Sequence, residues 1–376
     1  MQFPEPRAAY IHVPFCVHRC GYCDFTVIAG RDDLADDYLD ALSVELSSLK
    51  TARPVDTIFV GGGTPTQLTP QQLQRLAKLI NNWFDFSDAV EFSVEANPDG
   101  LTVEKVNILA DGGVNRISLG AQSFDNDILR VLERAHNESD IQRAVEVSRS
   151  RIKNVSLDLI FGVPGQTIEA WQTTISKALQ LRPQHISTYG LTFEKGTTFW
   201  SRREKGSLLQ IDDQIEREMY TLAMDWLNSA NFEHYEISNF ARTLHRCRHN
   251  ETYWQSLPYF GFGPGAAQYI AGRRETNHRS VFTWLKRLKS GESPVGDSEE
   301  LSAEERAREA IMLGLRTTAG VNKREFQSRH GIGLDTLIGA TIQSRVACGH
   351  VHDDGQRLQL TREGRFFADS IVVEVL

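Results

Sequence analysis

The stretch HVPFCVHRCGYCDF, residues 12–25, places three cysteines within eight positions, directly after an apolar run. They are Cys16, Cys20 and Cys23, and they form the pattern CxxxCxxC. The chain has five cysteines, an odd number that makes a poor disulfide framework. In a reducing compartment clustered thiols are more often metal ligands. We therefore expect these three thiols to hold a metal centre.

Three thiols leave one ligand position to be explained. A structural zinc site normally needs four protein ligands, and His18, Cys247 or His249 could supply the missing one. An iron–sulfur cluster held by three thiolates instead keeps one iron without a protein ligand, and that iron can bind a substrate or cofactor. Unreactive free thiols, or a structural module without ligand chemistry, are the remaining interpretations.

Strand-like apolar runs alternate with amphipathic helical runs from residue 8 to about residue 193. The predicted strands cover residues 9–15, 56–63, 90–96, 116–123, 155–162 and 185–193. The predicted helices between them include residues 34–49, 70–84 and 168–181, where apolar residues recur at three- and four-residue spacing. Six such repeats predict an α/β fold with buried parallel strands, either a partial TIM-like barrel or an open doubly wound sheet.

Functional residues in both architectures gather at the carboxyl ends of the strands. The loops there contain the three cysteines, the run GGGTPT at 61–66, and the side chains of Glu95, Gln122 and Asp158. Glycines let the backbone approach a bound molecule closely, and carboxylates accept hydrogen bonds from ammonium or hydroxyl groups. We expect these residues to converge on one rim.

The alternation ends near residue 200. One more helix is predicted at 213–230, and the segment HRCRHNETYW follows at 245–254. The last part of the chain predicts three helices and a strand pair around Asp353-Asp354-Gly355, typical of a small, mostly helical, winged-helix-like domain. We divide the chain into a core, a connecting region and a C-terminal domain, at residues 1–235, 236–298 and 299–376.

Charge and hydropathy exclude some classes of partner. The 376 residues include 41 Lys and Arg against 49 Asp and Glu, a formal net charge of −8. This balance argues against binding to nucleic acid through phosphates. No apolar stretch reaches the roughly 18 residues that span a bilayer, and the start MQFPEPR lacks the apolar region of a signal peptide. We expect a cytoplasmic protein.

The motifs together resemble a known family. CxxxCxxC with the aromatic Tyr22 before the third cysteine, in the loop after the first strand of a βα series, resembles the radical S-adenosylmethionine superfamily. The runs YIHVPF, FVGGGTPT, VEANP, RISLGAQSF, SLDLIFGVPGQT and YEISNFA narrow the resemblance to the family that contains the oxygen-independent coproporphyrinogen III oxidases and related heme chaperones. The resemblance covers nearly the whole chain and implies a partial (β/α)6 barrel followed by the winged-helix-like domain.

The resemblance also implies cofactors and their ligands. It implies a [4Fe–4S] cluster on the three cysteines, with the open iron chelated by the amino and carboxylate groups of S-adenosylmethionine. The residues that it implies for the S-adenosylmethionine site are Tyr10, Tyr22, Gly62, Gly63, Thr64, Glu95, Gln122, Arg134 and Asp158.

Two features separate the oxidases of this family from the chaperones. The oxidases carry a fourth cysteine, giving CxxxCxxCxC, and an N-terminal extension ahead of the cluster strand. This chain has Phe25 at the fourth position, and its first strand begins near residue 8. Both differences argue against oxidase activity and match the chaperones.

A third feature is the segment His249-Asn250-x-x-Tyr253-Trp254, which resembles the HNxxYW motif implicated in heme binding by the chaperones. A neutral imidazole is a common axial ligand of heme iron, and the two aromatic rings offer flat apolar surface to a porphyrin. His245 and Cys247 are alternative iron ligands, and the HRCRH cluster could bind zinc instead.

The sequence thus predicts a heme chaperone that binds heme, a [4Fe–4S] cluster and S-adenosylmethionine, and passes heme to acceptor hemoproteins, including membrane-associated ones. The resemblance is compatible with a homodimer. The alternative is oxidative decarboxylation of two propionates of coproporphyrinogen III to vinyl groups, which yields protoporphyrinogen IX.

Overall fold

The computed structural model describes residues 3–86 and 89–375. The strands in chain order are β1 Ala8–Val13, β2 Phe15–Cys16, β3 Ile28–Ala29, β4 Arg53–Pro54, β5 Thr57–Gly62, β6 Phe84–Asp85, β7 Glu91–Ala96, β8 Arg116–Gln122, β9 Asn154–Phe161, β10 His185–Gly190, β11 Glu233–His234, β12 Asn239–Ala241, β13 Phe260–Phe262, β14 Ala267–Ile270, β15 Arg273–Asn277, β16 Val295–Glu300, β17 Val321–Asn322, β18 Val351–Asp353 and β19 Arg357–Leu360.

The α-helices in chain order are α1 Ala35–Leu46, α2 Pro70–Trp83, α3 Val103–Asp111, α4 Asn126–Val131, α5 Glu138–Arg149, α6 Ile168–Gln180, α7 Thr198–Glu204, α8 Asp213–Ser229, α9 Arg248–Trp254, α10 Val281–Lys289, α11 Ala303–Leu315, α12 Lys323–His330, α13 Leu334–Ala347 and α14 Ala368–Val375. Within the described ranges, none of these helices is both long and apolar enough to cross a membrane.

The main sheet has the strand order β11-β12-β10-β9-β8-β7-β5-β1-β13. Its six central strands, β1, β5, β7, β8, β9 and β10, follow one another in chain order and all pair in parallel. Helices connect each strand to the next, so the six predicted βα repeats are present in the predicted order. The prediction of an α/β fold with a partial (β/α)6 barrel is confirmed.

The parallel strands are buried on both faces. Ile11, Ile58, Ile117 and Leu157, on β1, β5, β8 and β9, have no exposed surface and belong to one continuous apolar core. Burial of each such side chain contributes about 1.5–3 kcal/mol. This core fixes the carboxyl ends of the strands at one rim.

Local signals explain where α2 begins. The Thr69 side chain accepts a hydrogen bond from the Gln72 backbone and the Gln72 side chain accepts one from Thr69, a reciprocal capping box, with Pro70 as the first helical residue. The predicted helix at 70–84 therefore starts at its predicted residue.

The C-terminal part has an apolar core of its own, which includes Ile311, Phe326, Ile338 and Leu358. It contains the three predicted helices, α11, α12 and α13, and the predicted hairpin of β18 and β19. The sequence analysis missed α14, because the run IVVEVL is rich in β-branched residues that favour strands. Packing against α11 makes this segment helical.

The sheets do not follow the predicted division of the chain. Three short strands that pair with or extend the main sheet, β11, β12 and β13, lie on both sides of the predicted boundary at residue 235. The predicted boundary at residue 299 falls inside β16 Val295–Glu300, which pairs with β15. Strands of two or three residues carry too little periodicity to be recognised from sequence.

Candidate functional site

The three cysteines lie in a loop that follows β1 and is held on two sides. Cys16 ends β2, and the Cys23 backbone N–H donates to the Cys20 carbonyl at 3.0 Å, which closes a turn. Between them the Gly21 backbone N–H donates to the Glu133 carboxylate at 2.8 Å. The Gly21 carbonyl accepts from the backbone of Phe199 at 2.8 Å. These anchors fix the positions from which the thiols point.

All three thiols line one cavity of about 470 Å³ at the carboxyl ends of the central strands. This volume lies in the range of pockets that hold small-molecule ligands. The residues predicted for the cluster and for S-adenosylmethionine that line it are Cys16, Cys20, Cys23, Tyr22, Gly62, Gly63, Thr64, Glu95, Gln122, Arg134 and Asp158. The structure thus brings together residues that lie up to 142 positions apart, from Cys16 to Asp158.

The placement and the protonation of the three thiols both bear on metal binding. Among the residues that the structure describes, no group of three or more His, Cys, Asp or Glu side chains is placed to hold one metal ion. Burial raises the pKa of Cys16 to about 11 and also raises that of Cys23. Metal binding would therefore release protons from these thiols.

The glycine run brings the backbone against a buried carboxyl group. The Gly62 N–H donates to the Glu95 carboxylate at 2.9 Å, and a Cβ atom on Gly61 would lie 2.6 Å from the same oxygen. A Cβ atom on Gly63 would lie 2.7 Å from the Val13 carbonyl. Glycine is therefore required here for close packing of β5 against its neighbours. Burial raises the pKa of Glu95 to about 7.

A chain of polar contacts through Arg134, Asn97 and Thr64 connects two of the thiols. Arg134 donates to the Asn97 side chain at 2.6 Å and to the Gly120 carbonyl at 3.1 Å, and its other amino group lies 3.8 Å from the Cys20 sulfur. The Asn97 amide donates to the Thr64 hydroxyl at 3.0 Å, and this hydroxyl lies 3.6 Å from the Cys16 sulfur. A buried guanidinium beside the cysteines provides positive charge for an anionic ligand or thiolate.

Asp158 lies at the far end of the cavity in a hydroxyl pocket. Ser118 and Ser187 donate to its carboxylate, with closest distances of 3.0 and 2.8 Å. Burial still raises the pKa of this carboxyl group above its ordinary value, although both hydroxyls favour the ionised form. Asn97, Ser118 and Ser187 were missed as site residues. The motifs VEANP and RISLG already contained the first two.

Tyr10 does not line the cysteine cavity. It faces a smaller cavity of about 170 Å³ deeper in the barrel, which shares Glu95 and Asp158 with the larger one. Its hydroxyl donates to the ring of His12 at 2.9 Å, and the other His12 nitrogen donates to the Thr26 carbonyl at 2.7 Å. Tyr10 therefore supports the cysteine loop indirectly, because His12 links its hydroxyl to Thr26, which belongs to that loop.

The HNxxYW segment forms α9, and its histidine is buried. One ring nitrogen of His249 shares a hydrogen bond with the Thr57 hydroxyl at 2.9 Å, and the other shares one with the Tyr253 hydroxyl at 2.8 Å. The ring also stacks on Phe59, with centroids 5.3 Å apart. Burial lowers the pKa of His249 to about 3, so the imidazole is neutral. In this conformation neither ring nitrogen is free to bind iron.

Of the remaining heme candidates, Asn250 lies with His249 and Tyr253, whereas Trp254 lies elsewhere. Asn250 lines the small cavity with His249 and Tyr253, while the guanidinium of Arg316 lies 5.4 Å from the ring centre of Trp254. The buried thiol of Cys247 lies 3.6 Å from the Glu91 carboxylate. The cavity of about 170 Å³ is smaller than pockets that hold drug-sized ligands, so it cannot hold a porphyrin as it stands.

Two parts of the chain match known families. Residues 10–178 match the radical SAM superfamily, and residues 301–367 match the HemN C-terminal domain. The solved structure of coproporphyrinogen III oxidase (HemN) from Escherichia coli, a radical SAM enzyme, has the same fold, with a TM-score of 0.87 at 23% identity, covering 99% of this chain and 91% of that one.

Several relatives are similar over their full length. The heme chaperone HemW of Bacillus subtilis is 40% identical over 97% of this chain and 98% of its own. HemW of Mycobacterium tuberculosis is 34% identical over 99% and 95%. The mouse mitochondrial radical S-adenosyl methionine domain-containing protein 1 is 31% identical over 100% and 90%. The chain therefore belongs to the radical SAM superfamily and, within it, to the family of the heme chaperone HemW.

Proposed function

We propose that this protein is a heme chaperone, which holds a [4Fe–4S] cluster and S-adenosylmethionine in the cysteine cavity and delivers heme to acceptor hemoproteins. The observation that carries the proposal is the convergence of three thiols, a glycine-rich strand end and a buried carboxyl group on one cavity. The full-length similarity to proteins named as heme chaperones supports it.

The chain supplies a matched set of groups for the cofactors. When bound, a cluster on Cys16, Cys20 and Cys23 supplies an iron without a protein ligand. Glu95 would accept hydrogen bonds from an ammonium group, since its carboxylate faces the cavity next to the thiols. Arg134 would hold positive charge beside the Cys20 thiolate and a ligand carboxylate.

The rest of the cavity suits the other parts of S-adenosylmethionine. The backbone of Gly62 and Gly63 leaves room for close approach, and the Thr64, Gln122 and Asp158 side chains supply polar contacts. The Tyr22 ring lines the same cavity and packs edge-on against Phe199, with centroids 6.0 Å apart. We propose that this ring contacts the adenine.

Phe25 argues for the carrier over the oxidase. Its side chain is exposed and lines the cysteine cavity at the position where the resembling oxidases carry a fourth cysteine. A phenyl ring has no thiol, no acidic proton and no lone pair to contribute to the chemistry of an oxidase site. It does provide flat apolar surface.

Heme carriage is tested by equilibrium titration with hemin after anaerobic reconstitution of the cluster in the full chain. We expect a saturable, one-to-one change in the Soret absorbance, retained after gel filtration. A titration that stays linear with added hemin would show non-specific association and would contradict heme carriage.

A further inference from the structure

A tight turn at residues 242–245, within the run RTLHR, presents a leucine to solvent. The His245 backbone N–H donates to the Arg242 carbonyl at 2.9 Å, which closes the turn. Leu244 occupies its third position with a φ of 68°, and the leucine is 95% exposed. Such a position normally holds glycine or asparagine, because a positive φ strains other residues. Since the leucine gains almost no burial and strains the backbone, the fold does not account for it.

Three arginines beside this turn lack carboxylate partners. Arg242 donates to the Pro183 carbonyl at 3.2 Å, and Arg149 donates to the Arg182 carbonyl at 2.6 Å, so backbone contacts link the three. Within the described part of the chain, none of these arginines forms an ion pair. Burial and the charge of Arg182 lower the pKa of Arg149. The two guanidinium groups are therefore close enough to repel each other.

The carboxylates next to the turn are already neutralised. Glu233 and Glu251 both form ion pairs with Arg246. Burial and the charges of two neighbouring arginines lower the pKa of His245. The turn and the arginines beside it therefore carry excess positive charge, on a chain whose formal net charge is −8.

The turn lies at the amino ends of the central strands and leads into α9. The Arg242 backbone N–H donates to the Gln184 carbonyl, just before β10, at 2.9 Å. The His245 carbonyl accepts from Arg116, the first residue of β8, at 3.1 Å. Three residues after His245, α9 begins. A partner seated on the turn would therefore lie beside the HNxxYW segment, at the end of the sheet opposite the cysteine cavity.

We propose that the turn surface, formed by Arg149, Arg182, Arg242, Leu244 and His245, docks an acceptor hemoprotein that is acidic around an apolar pocket. An apolar side chain ringed by charges matches the centre and rim of a protein–protein contact, and the positive charge selects an acidic partner. A bilayer would not require a rigid turn, and one leucine offers it little apolar area. The inference rests on the proposed heme carriage and assigns the surface at which heme is delivered.

Heme transfer to two apoproteins tests this assignment in the reconstituted, heme-loaded full chain. Apomyoglobin takes up heme that dissociates into solution, whereas apocytochrome b5 is an acidic acceptor. We expect transfer to apocytochrome b5 to be the faster of the two, to saturate with acceptor concentration and to slow as salt screens the charges. Leu244→Asn should slow it by about tenfold and Arg182→Gln by about threefold, with transfer to apomyoglobin unchanged.

Matched controls separate docking from folding. Leu209→Asn and Arg324→Gln remove another exposed leucine and another exposed arginine, and both variants should transfer heme like wild type. Asparagine tolerates a positive φ, so Leu244→Asn should unfold at the same urea concentration as wild type or at a higher one. A lower midpoint would show that the leucine serves the fold and would overturn the proposal.

The remaining outcomes distinguish this proposal from heme carriage. Wild-type rates to apocytochrome b5 in both turn variants would remove the docking surface and leave heme carriage standing. Binding to phosphatidylglycerol vesicles that Leu244→Asn abolishes, with unchanged transfer to apocytochrome b5, would assign the turn to a membrane surface instead. Wild-type protein that binds no heme saturably would overturn both proposals.

Discussion

Glu95 shows how a single buried residue can report on cofactor binding. Its carboxyl group faces the cysteine cavity and accepts from the Gly62 backbone, yet burial raises its pKa from 4.5 to about 7. Without a bound ligand, Glu95 is therefore partly protonated and partly ionised near neutral pH. A ligand ammonium group would favour the carboxylate, because opposite charges stabilise the ionised form.

We predict that the affinity for S-adenosylmethionine falls below about pH 7. Binding then requires Glu95 to lose its proton, so the association constant should fall by up to about tenfold per pH unit, and a Glu95→Gln variant should bind weakly with little pH dependence. Equilibrium dialysis of the reconstituted protein from about pH 6 to about pH 8 measures this.

Glu45 provides the matched control. It is also a buried carboxyl group whose pKa is raised to about 7, but it hydrogen-bonds the Gly263 backbone and Asn277 outside the cavity. Glu45→Gln should keep the wild-type pH dependence of binding. A Glu95→Gln variant with the wild-type pH slope would show that another group is responsible.

At the scale of elements, α9 owes its position to the strands beneath it. Its first two backbone N–H groups, from Arg248 and His249, each donate to the Glu91 carboxylate at 3.0 Å. Glu91 begins β7 and is buried, so a strand residue caps the helix. The His249 ring then links Thr57 on β5 to Tyr253 on the next turn of α9. The motif thus ties the helix to the sheet.

We predict that Tyr253→Phe destabilises the protein. The change leaves one nitrogen of the buried His249 without its partner, which costs about 1–3 kcal/mol. Urea unfolding followed by circular dichroism should show a lower midpoint. Tyr269→Phe, which removes a hydroxyl without a hydrogen bond among the described residues, is the control. Equal midpoints for the two variants would contradict the structural role of this hydrogen bond.

The sequence predicted part of this element. The segment was recognised from its HNxxYW motif, and because it forms α9, His249 and Tyr253 lie on one face, four residues apart. Spacing does not say what covers that face, and here β5 covers it. The rim residues were predictable for a different reason: the carboxyl ends of parallel strands meet at one edge whatever the order of the loops. Asn97 could not be predicted as a site residue, since its role depends on Arg134, which lies 37 positions away.

For the whole molecule, the contact between the sheet and the C-terminal part is the long-range feature. The Ile237 N–H donates to the Arg316 carbonyl at 3.1 Å, and the Thr318 N–H donates to the Tyr235 carbonyl at 3.0 Å. Glu236 lies between these bonds, is 1% exposed, and has a pKa raised to about 7 by burial. Backbone hydrogen bonds therefore join the two parts of the chain, and a buried titratable group lies between these bonds.

We predict that Glu236→Gln stabilises the protein at high pH relative to low pH. The folded protein keeps a proton that the unfolded chain releases above its pKa of 4.5, so wild-type stability falls as pH rises from 4.5 to about 7. A glutamine side chain does not titrate. The unfolding free energy of the Glu236→Gln variant relative to wild type should therefore rise by on the order of 1–3 kcal/mol across this interval. Urea unfolding at both ends of the interval measures it, and a constant difference would contradict the prediction.

The central strands were predictable from sequence, and the short edge strands of the main sheet were not. Strands buried on both faces appear as continuous apolar runs, and all six were found. The short edge strands β11, β12 and β13 are defined by pairing partners distant in sequence, which no local pattern encodes.

The central claim is that a radical SAM fold with Phe25 at the fourth cysteine position carries heme instead of oxidising a porphyrinogen. The most direct test incubates the reconstituted, reduced protein with S-adenosylmethionine and coproporphyrinogen III, in a sample whose cluster EPR spectrum responds to S-adenosylmethionine. The oxidase HemN from Escherichia coli serves as positive control. We predict no protoporphyrinogen IX above a control without S-adenosylmethionine. Turnover to protoporphyrinogen IX would contradict the account.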